Sequence, residues 1–98
     1  MSAPPNEIVY EPEFRKDVHG LSAKTQEKLA DLIGILRTNP FDSRLHTKPL
    51  NPPLQKIYSF RITRDYRVGF IFDAAHIVRL LIADNRDRIY KRLERKMK

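Results

Sequence analysis

The chain has no cysteine, and only three glycines among its 98 residues. Without cysteine there is no disulfide, no thiolate nucleophile and no thiolate metal site. The glycines stand alone at positions 20, 34 and 69, so no Gly-rich phosphate loop is present. No run of about 18 apolar residues exists, so nothing in the sequence reads as a transmembrane helix. The opening MSAPPNE has no basic segment followed by an apolar one, and the expected location is the cytoplasm. The histidines, His19, His46 and His76, fall near a helix end, in a proline-rich loop and in a turn, without metal-ligand spacing. There is no HExxH and no Ser-His-Asp set. Neither a metal nor a small-molecule cofactor is expected. The length fits one domain over residues 1–98 with one modest core.

What the chain has is positive charge, unevenly placed. The net charge is +7. Residues 1–54 carry seven Lys/Arg against seven Asp/Glu, and residues 55–98 carry twelve against five. All of the excess therefore lies in the second half. There it interleaves with apolar and aromatic residues and does not form a tail. Localised basic charge of this kind marks a polyanionic partner, such as nucleic acid or an acidic protein. A solvated basic surface is the plainer alternative.

The stretch Tyr58–Phe72, YSFRITRDYRVGFIF, reads as a β-hairpin. Tyr58, Phe60 and Ile62 alternate with Ser59, Arg61 and Thr63, and Val68, Phe70 and Phe72 alternate with Arg67, Gly69 and Ile71. With the aromatic sets on one face, parity sets the turn. A three-residue loop, Thr63-Arg64-Asp65, places Arg61 opposite Arg67, whereas a two-residue loop would pair Ile62 with Arg67. Opposed like charges normally destabilise a sheet. The pair makes most sense if an anion lies across it.

Before the hairpin, residues 1–6 read as a loose proline-rich lead, Ile8–Tyr10 as a short strand, and the segment from Pro12 as a short helix. Gly20 is expected to end that helix in a left-handed cap. Ser22 reads as the N-cap of a helix over 23–38, with Leu29, Leu32, Ile33 and Leu36 on one stripe. Residues 40–55 read as a proline-rich loop pinned by Leu45, Leu50 and Leu54. After the hairpin, Ile77–Ala83 reads as a strand buried on both faces. Ile89, Leu93 and Met97 mark a basic amphipathic C-terminal helix. The order predicts an α+β fold: two N-terminal helices packed on a mainly antiparallel four-stranded sheet, followed by the basic helix. The opposite sheet face is then expected to be a partly open, concave basic surface holding Arg61 and Arg67, with Arg86 and Tyr90 at its rim.

The element order, the phrase LHTKPL, then YSFRITRDYRV with its Tyr66-Arg67-Val68, then LLIADNRDRIY with its Arg86-x-x-x-Tyr90 spacing, resembles the RelE/ParE superfamily of toxins from bacterial toxin–antitoxin modules. The likeness spans residues 8–92. It implies a RelE-like fold, a cognate antitoxin as partner, and one of two activities. RelE-like members cleave messenger RNA at the ribosome without metal. ParE-like members inhibit DNA gyrase and cut nothing. The RelE-like pattern carried onto this chain assigns Arg61, Arg67, Arg86 and Tyr90 to catalysis. Lys56, Ser59, Arg64, Arg88 and Lys91 are assigned to RNA binding around them. Ser59 stands where RelE itself often has lysine, and Lys56 is a nearby substitute. That departure keeps the gyrase reading open, and a non-catalytic nucleic-acid-binding module is a third possibility.

Cleavage through the 2′-hydroxyl needs a base, compensation of phosphorane charge and a proton for the leaving 5′ oxygen. Arginine stays protonated, so it cannot be the base. It can clamp phosphate oxygens and stabilise charge in the transition state. Tyr90 carries a titratable hydroxyl, and neighbouring guanidinium groups would favour its phenolate. The sequence therefore predicts arginines as clamps and Tyr90 as the base or as a stacking platform.

Overall fold

The computed structural model describes residues 5–97. The chain runs β1 (Glu7–Tyr10), α1 (Pro12–His19), α2 (Ala23–Thr38), a short 3-10 turn (Ser43–Leu45), β2 (Lys48–Pro49), β3 (Tyr58–Arg61), β4 (Tyr66–Ala74), β5 (Ile77–Asn85) and α3 (Ile89–Lys96). The fold is α+β, with a mixed five-stranded sheet in the order β1-β5-β4-β3-β2. The fifth strand is β2, two residues of the proline-rich segment that pair antiparallel with Tyr58 and Ser59. Pro49 sits on an edge strand, where its missing N–H breaks no ladder. β1 joins β5 in parallel, and the other pairs are antiparallel.

Helices α1 and α2 cover one sheet face. Ser22 caps α2 by accepting the Thr25 N–H at 3.2 Å. Leu29, Leu32 and Leu36 of its stripe are buried against Phe60, Val68, Phe70 and Val78. α1 buries Phe14 in the same core. Gly20 follows α1 with φ −82°, so its backbone stays right-handed; the left-handed non-glycine residues among those described are His46 and Lys56. The expected loose lead is pinned at Asn6, whose N–H donates to the Arg37 carbonyl at 2.7 Å and whose side chain donates to Leu36. Residues 1–4 of that lead lie outside the described residues.

The second sheet face is not open. α3 lies on it and buries Ile89 and Leu93 with Leu54, Ile57, Leu81 and Ile82 in a second core. Full burial of one such side chain contributes about 1.5–3 kcal/mol. Met97, expected on that apolar stripe, follows the helix as its C-cap and is exposed. β5 supplies both cores, as its apolar run requires. A bulge makes this possible: Gly69 pairs with Ile82 and Phe70 with Leu80, leaving Leu81 as an extra residue. Val78, Leu80 and Ala83 join the α1–α2 core, and Leu81 and Ile82 the α3 core.

No helix of the described residues is long and apolar enough to cross a membrane.

Candidate nucleic-acid interface

The site grows from the β3–β4 turn. The register pairs Phe60 with Val68 and Arg61 with Arg67, as the three-residue loop requires. The Ile62 N–H donates to the Tyr66 carbonyl at 2.9 Å, and the Tyr66 N–H donates to the Thr63 hydroxyl at 3.2 Å. The turn is tied to the end of β5, because the Arg86 N–H donates to the Asp65 carbonyl at 2.8 Å. Beyond β5, the Asn85 side-chain oxygen accepts the N–H groups of Asp87 and Arg88, both at 3.0 Å. This Asx turn holds the chain leaving β5 and so fixes where Arg86 stands.

These constraints bring Arg61, Arg64, Arg67 and Arg86 to one open recess of about 480 Å³. Lys28 and Leu32 of α2 and Arg44 and His46 of the segment before β2 complete its wall. Among the described residues no carboxylate lines it. Asp42 grips Arg44 from outside with two hydrogen bonds of 3.0 Å. The side-chain bond from Arg44, joined by its backbone N–H, pulls the Asp42 carboxyl down to about 2. The other cations of the recess form no ion pair among the described residues. Arg67 is buried, and the Nε atoms of both Arg61 and Arg67 are buried without a hydrogen-bond partner. Buried donors are normally paired, so two unpaired guanidinium donors are poised for an acceptor supplied from outside.

The remaining sequence-derived candidates lie elsewhere. Tyr90 lines a different recess, of about 450 Å³, with Glu94 of α3 and residues 48–54. Like Leu50 and Ile71, it is partly buried against the α3 core. Arg88 and Lys91 line a third recess, of about 570 Å³, with Tyr66, Arg92 and Arg95. Ser59 is fully buried, its hydroxyl unpartnered. Lys56 is exposed on the turn before β3 and is not part of the arginine recess. The arginines are therefore gathered together, while the tyrosine is not among them.

Sequence reasoning missed Lys28, Arg44 and His46. A signal for Lys28 was present: it stands one helical turn before Leu32, on the edge of the buried stripe of α2. His46 carried no periodic signal, because its place depends on the left-handed backbone of an irregular segment.

No family model matches the chain, and no curated protein matches it in sequence. Solved structures do. The chain is similar to a chain of the toxin–antitoxin complex RelBE2 from Mycobacterium tuberculosis, with 27% identity and a TM-score of 0.70 over 84% of this chain and 99% of that one. It is also similar to the YoeB/ParE toxin from Agrobacterium tumefaciens, with 20% identity and a TM-score of 0.71 over 81% and 96% of the two chains. The archaeal RelE–RelB complex from Pyrococcus horikoshii gives 17% identity and a TM-score of 0.70 over 86% and 98%. The last two likenesses speak for the fold alone. The sheet order, the hairpin register and these structural likenesses together give the chain the fold of the RelE-type toxins.

Proposed function

We propose that the chain is the toxin of a toxin–antitoxin module and a metal-independent endoribonuclease that cleaves messenger RNA at the ribosome. The observation that carries this reading is the carboxylate-free recess in which Arg61, Arg64, Arg67 and Arg86 converge. It suits a phosphodiester. Guanidinium forks bind phosphate oxygens bidentately and stabilise the added charge when the 2′ oxygen attacks phosphorus. Two of the forks sit on paired strands, so little reorganisation accompanies the reaction. The similar RelBE2 and RelE–RelB structures are toxin–antitoxin complexes, which supports a cognate antitoxin as partner. An antitoxin segment bearing carboxylates over this recess would neutralise the charge and block RNA entry together.

One observation favours a second reading. Tyr90 lies in a different recess from the arginines, which leaves them without that hydroxyl. A gyrase inhibitor that binds without cutting needs no such group. Primer extension on a translated message, after expression of the chain, tests the two. Discrete cleavage within the message is expected. Intact message together with a DNA-damage response overturns the nuclease reading in favour of gyrase inhibition.

A further inference from the structure

We infer that His46 is the proton-transfer group of the arginine recess, taking the proton of the attacking 2′-hydroxyl; this rests on the endoribonuclease reading above. The recess supplies charge compensation in excess and lacks a base. Lys28, Arg44, Arg61, Arg64, Arg67 and Arg86 are cations, and Thr63 offers a neutral hydroxyl. The carboxylate nearest in sequence, Asp42, is held by Arg44, which makes it a poor base. That leaves the imidazole of His46, the one side chain in this wall whose ring nitrogen can accept a proton and pass it on.

The backbone gives a second, independent indication. His46 adopts φ 51° and ψ 41°, the left-handed conformation that is uncommon outside glycine and is entered most often by Asn, Asp and His. It is held there from both sides. Leu45 is fully buried, and the Thr47 hydroxyl donates to the Pro40 carbonyl at 2.6 Å. The His46 N–H closes the turn on the Ser43 carbonyl at 3.3 Å. Strain fixed by its surroundings, on an exposed residue at the wall of a charged recess, is characteristic of functional sites.

The step balances without a metal. The 2′-hydroxyl proton passes to an imidazole nitrogen as the 2′ oxygen–phosphorus bond forms. The phosphorus–5′ oxygen bond breaks, and the 5′ oxygen takes a proton from water or from the imidazolium. The products are a 2′,3′-cyclic phosphate and a 5′-hydroxyl. The arginines hold the phosphate oxygens throughout.

The test uses the full chain with ribosomes translating a defined message. His46→Asn and His46→Gly both tolerate the left-handed backbone, so they remove the imidazole without disturbing the turn. Cleavage is expected to fall by about 10²–10⁴-fold in both, while RNA affinity and melting temperature stay at the wild-type level. The pH–rate profile should lose the limb that rises toward neutrality, and free imidazole should restore part of the rate to His46→Gly. Wild-type cleavage with an unchanged pH profile in both variants would overturn the assignment. So would a loss of affinity that accounts for the whole loss of rate. A wild-type chain that cleaves no message refutes the nuclease reading itself, a result visible before any variant is compared.

Discussion

Leu93 occupies the place where Gly69 would carry a side chain: a β-carbon built at Gly69 would stand 2.9 Å from both Leu93 methyl carbons. Gly69 faces Ser59 across β3 and β4, and both are buried. Two of the smallest residues thus form a slot in the sheet, and α3 fills it with a leucine. The basic helix is therefore part of the core.

This contact predicts an asymmetry. Gly69→Ala overpacks the slot and should cost roughly 1–3 kcal/mol. Leu93→Ala empties it and should cost roughly 2–5 kcal/mol. The double variant should be less destabilised than the sum of the two, because the alanine at 69 partly refills the cavity. Urea denaturation of the three variants checks this, and strict additivity would mean that the two residues do not share a site.

The same slot shows what the sequence made legible and what it did not. The hairpin register followed from parity alone, because one misplaced residue would have turned Arg67 into the aromatic core. The two-sided burial of β5 followed from its nearly continuous apolar run, interrupted only by Arg79. The covering of the second face by α3 did not follow, although Ser59 and Gly69 signalled it. Ser59 and Gly69 fall on the hairpin face expected to be open, whereas in the structure Gly69 is a seat for Leu93 of α3. That error carried into the site. With α3 on the sheet, Tyr90 is turned toward the proline-rich segment, while the arginines keep the hairpin end. His46 was named only as lacking metal-ligand spacing, and its place at the recess stayed hidden because irregular backbone has no period to read.

A second set of contacts locks α3 to the first helix. Arg92 donates to Asp84 at 3.0 Å and to Glu13 at 2.7 Å, and lies 3.1 Å from Asp17; Lys96 donates to Glu13 at 3.2 Å. Asp17 in turn accepts the Ala83 N–H at 3.0 Å, beyond the end of β1. Arg92→Ala should cost about 2 kcal/mol, the usual loss for hydrogen bonds to a charged group. The measurement is chemical denaturation near neutral pH, and a loss under a few tenths of a kcal/mol would show that the network is only a surface decoration.

Acid should loosen the same lock. The Arg92 hydrogen bond holds the Glu13 carboxyl below its ordinary range against the opposing effect of burial, and Lys96 adds to it. A carboxyl whose folded value is depressed contributes stability that is complete above its unfolded value, about 4.3 for glutamate, and is lost as the pH falls through the folded one. Melting temperature should therefore decline below about pH 4.5, and Glu13→Gln should make that decline shallower. Identical acid profiles for wild type and Glu13→Gln would remove Glu13 from the account.

Arg67 should matter to binding and to chemistry in different ways. On the proposed endoribonuclease reading, Arg67→Ala removes one phosphate contact from a rigid strand. The dependence of log affinity on log salt for single-stranded RNA should become shallower by about 0.7. The rate of message cleavage should fall by about 10²–10³, the usual loss for one transition-state donor. An unchanged salt slope would place the bound phosphate away from Arg67.

Tyr90→Phe separates the two arrangements that sequence and structure offer. If the tyrosine hydroxyl were the base, its removal would lower the cleavage rate by orders of magnitude and leave affinity nearly unchanged, since proton transfer acts in the transition state. In the structure Tyr90 instead lines the recess formed with residues 48–54, partly buried against the α3 core. The substitution keeps the ring, and with it this packing. Cleavage by Tyr90→Phe is therefore expected to stay within about threefold of wild type, under the 1.4 kcal/mol that a tenfold change represents. Primer extension with Tyr90→Phe and Arg67→Ala in parallel supplies the internal standard. A Tyr90→Phe loss as deep as that of Arg67→Ala would require α3 to leave the sheet on the ribosome and carry Tyr90 to the arginines. Locking the helix would then abolish cleavage, which a disulfide engineered between α3 and α1 would reveal.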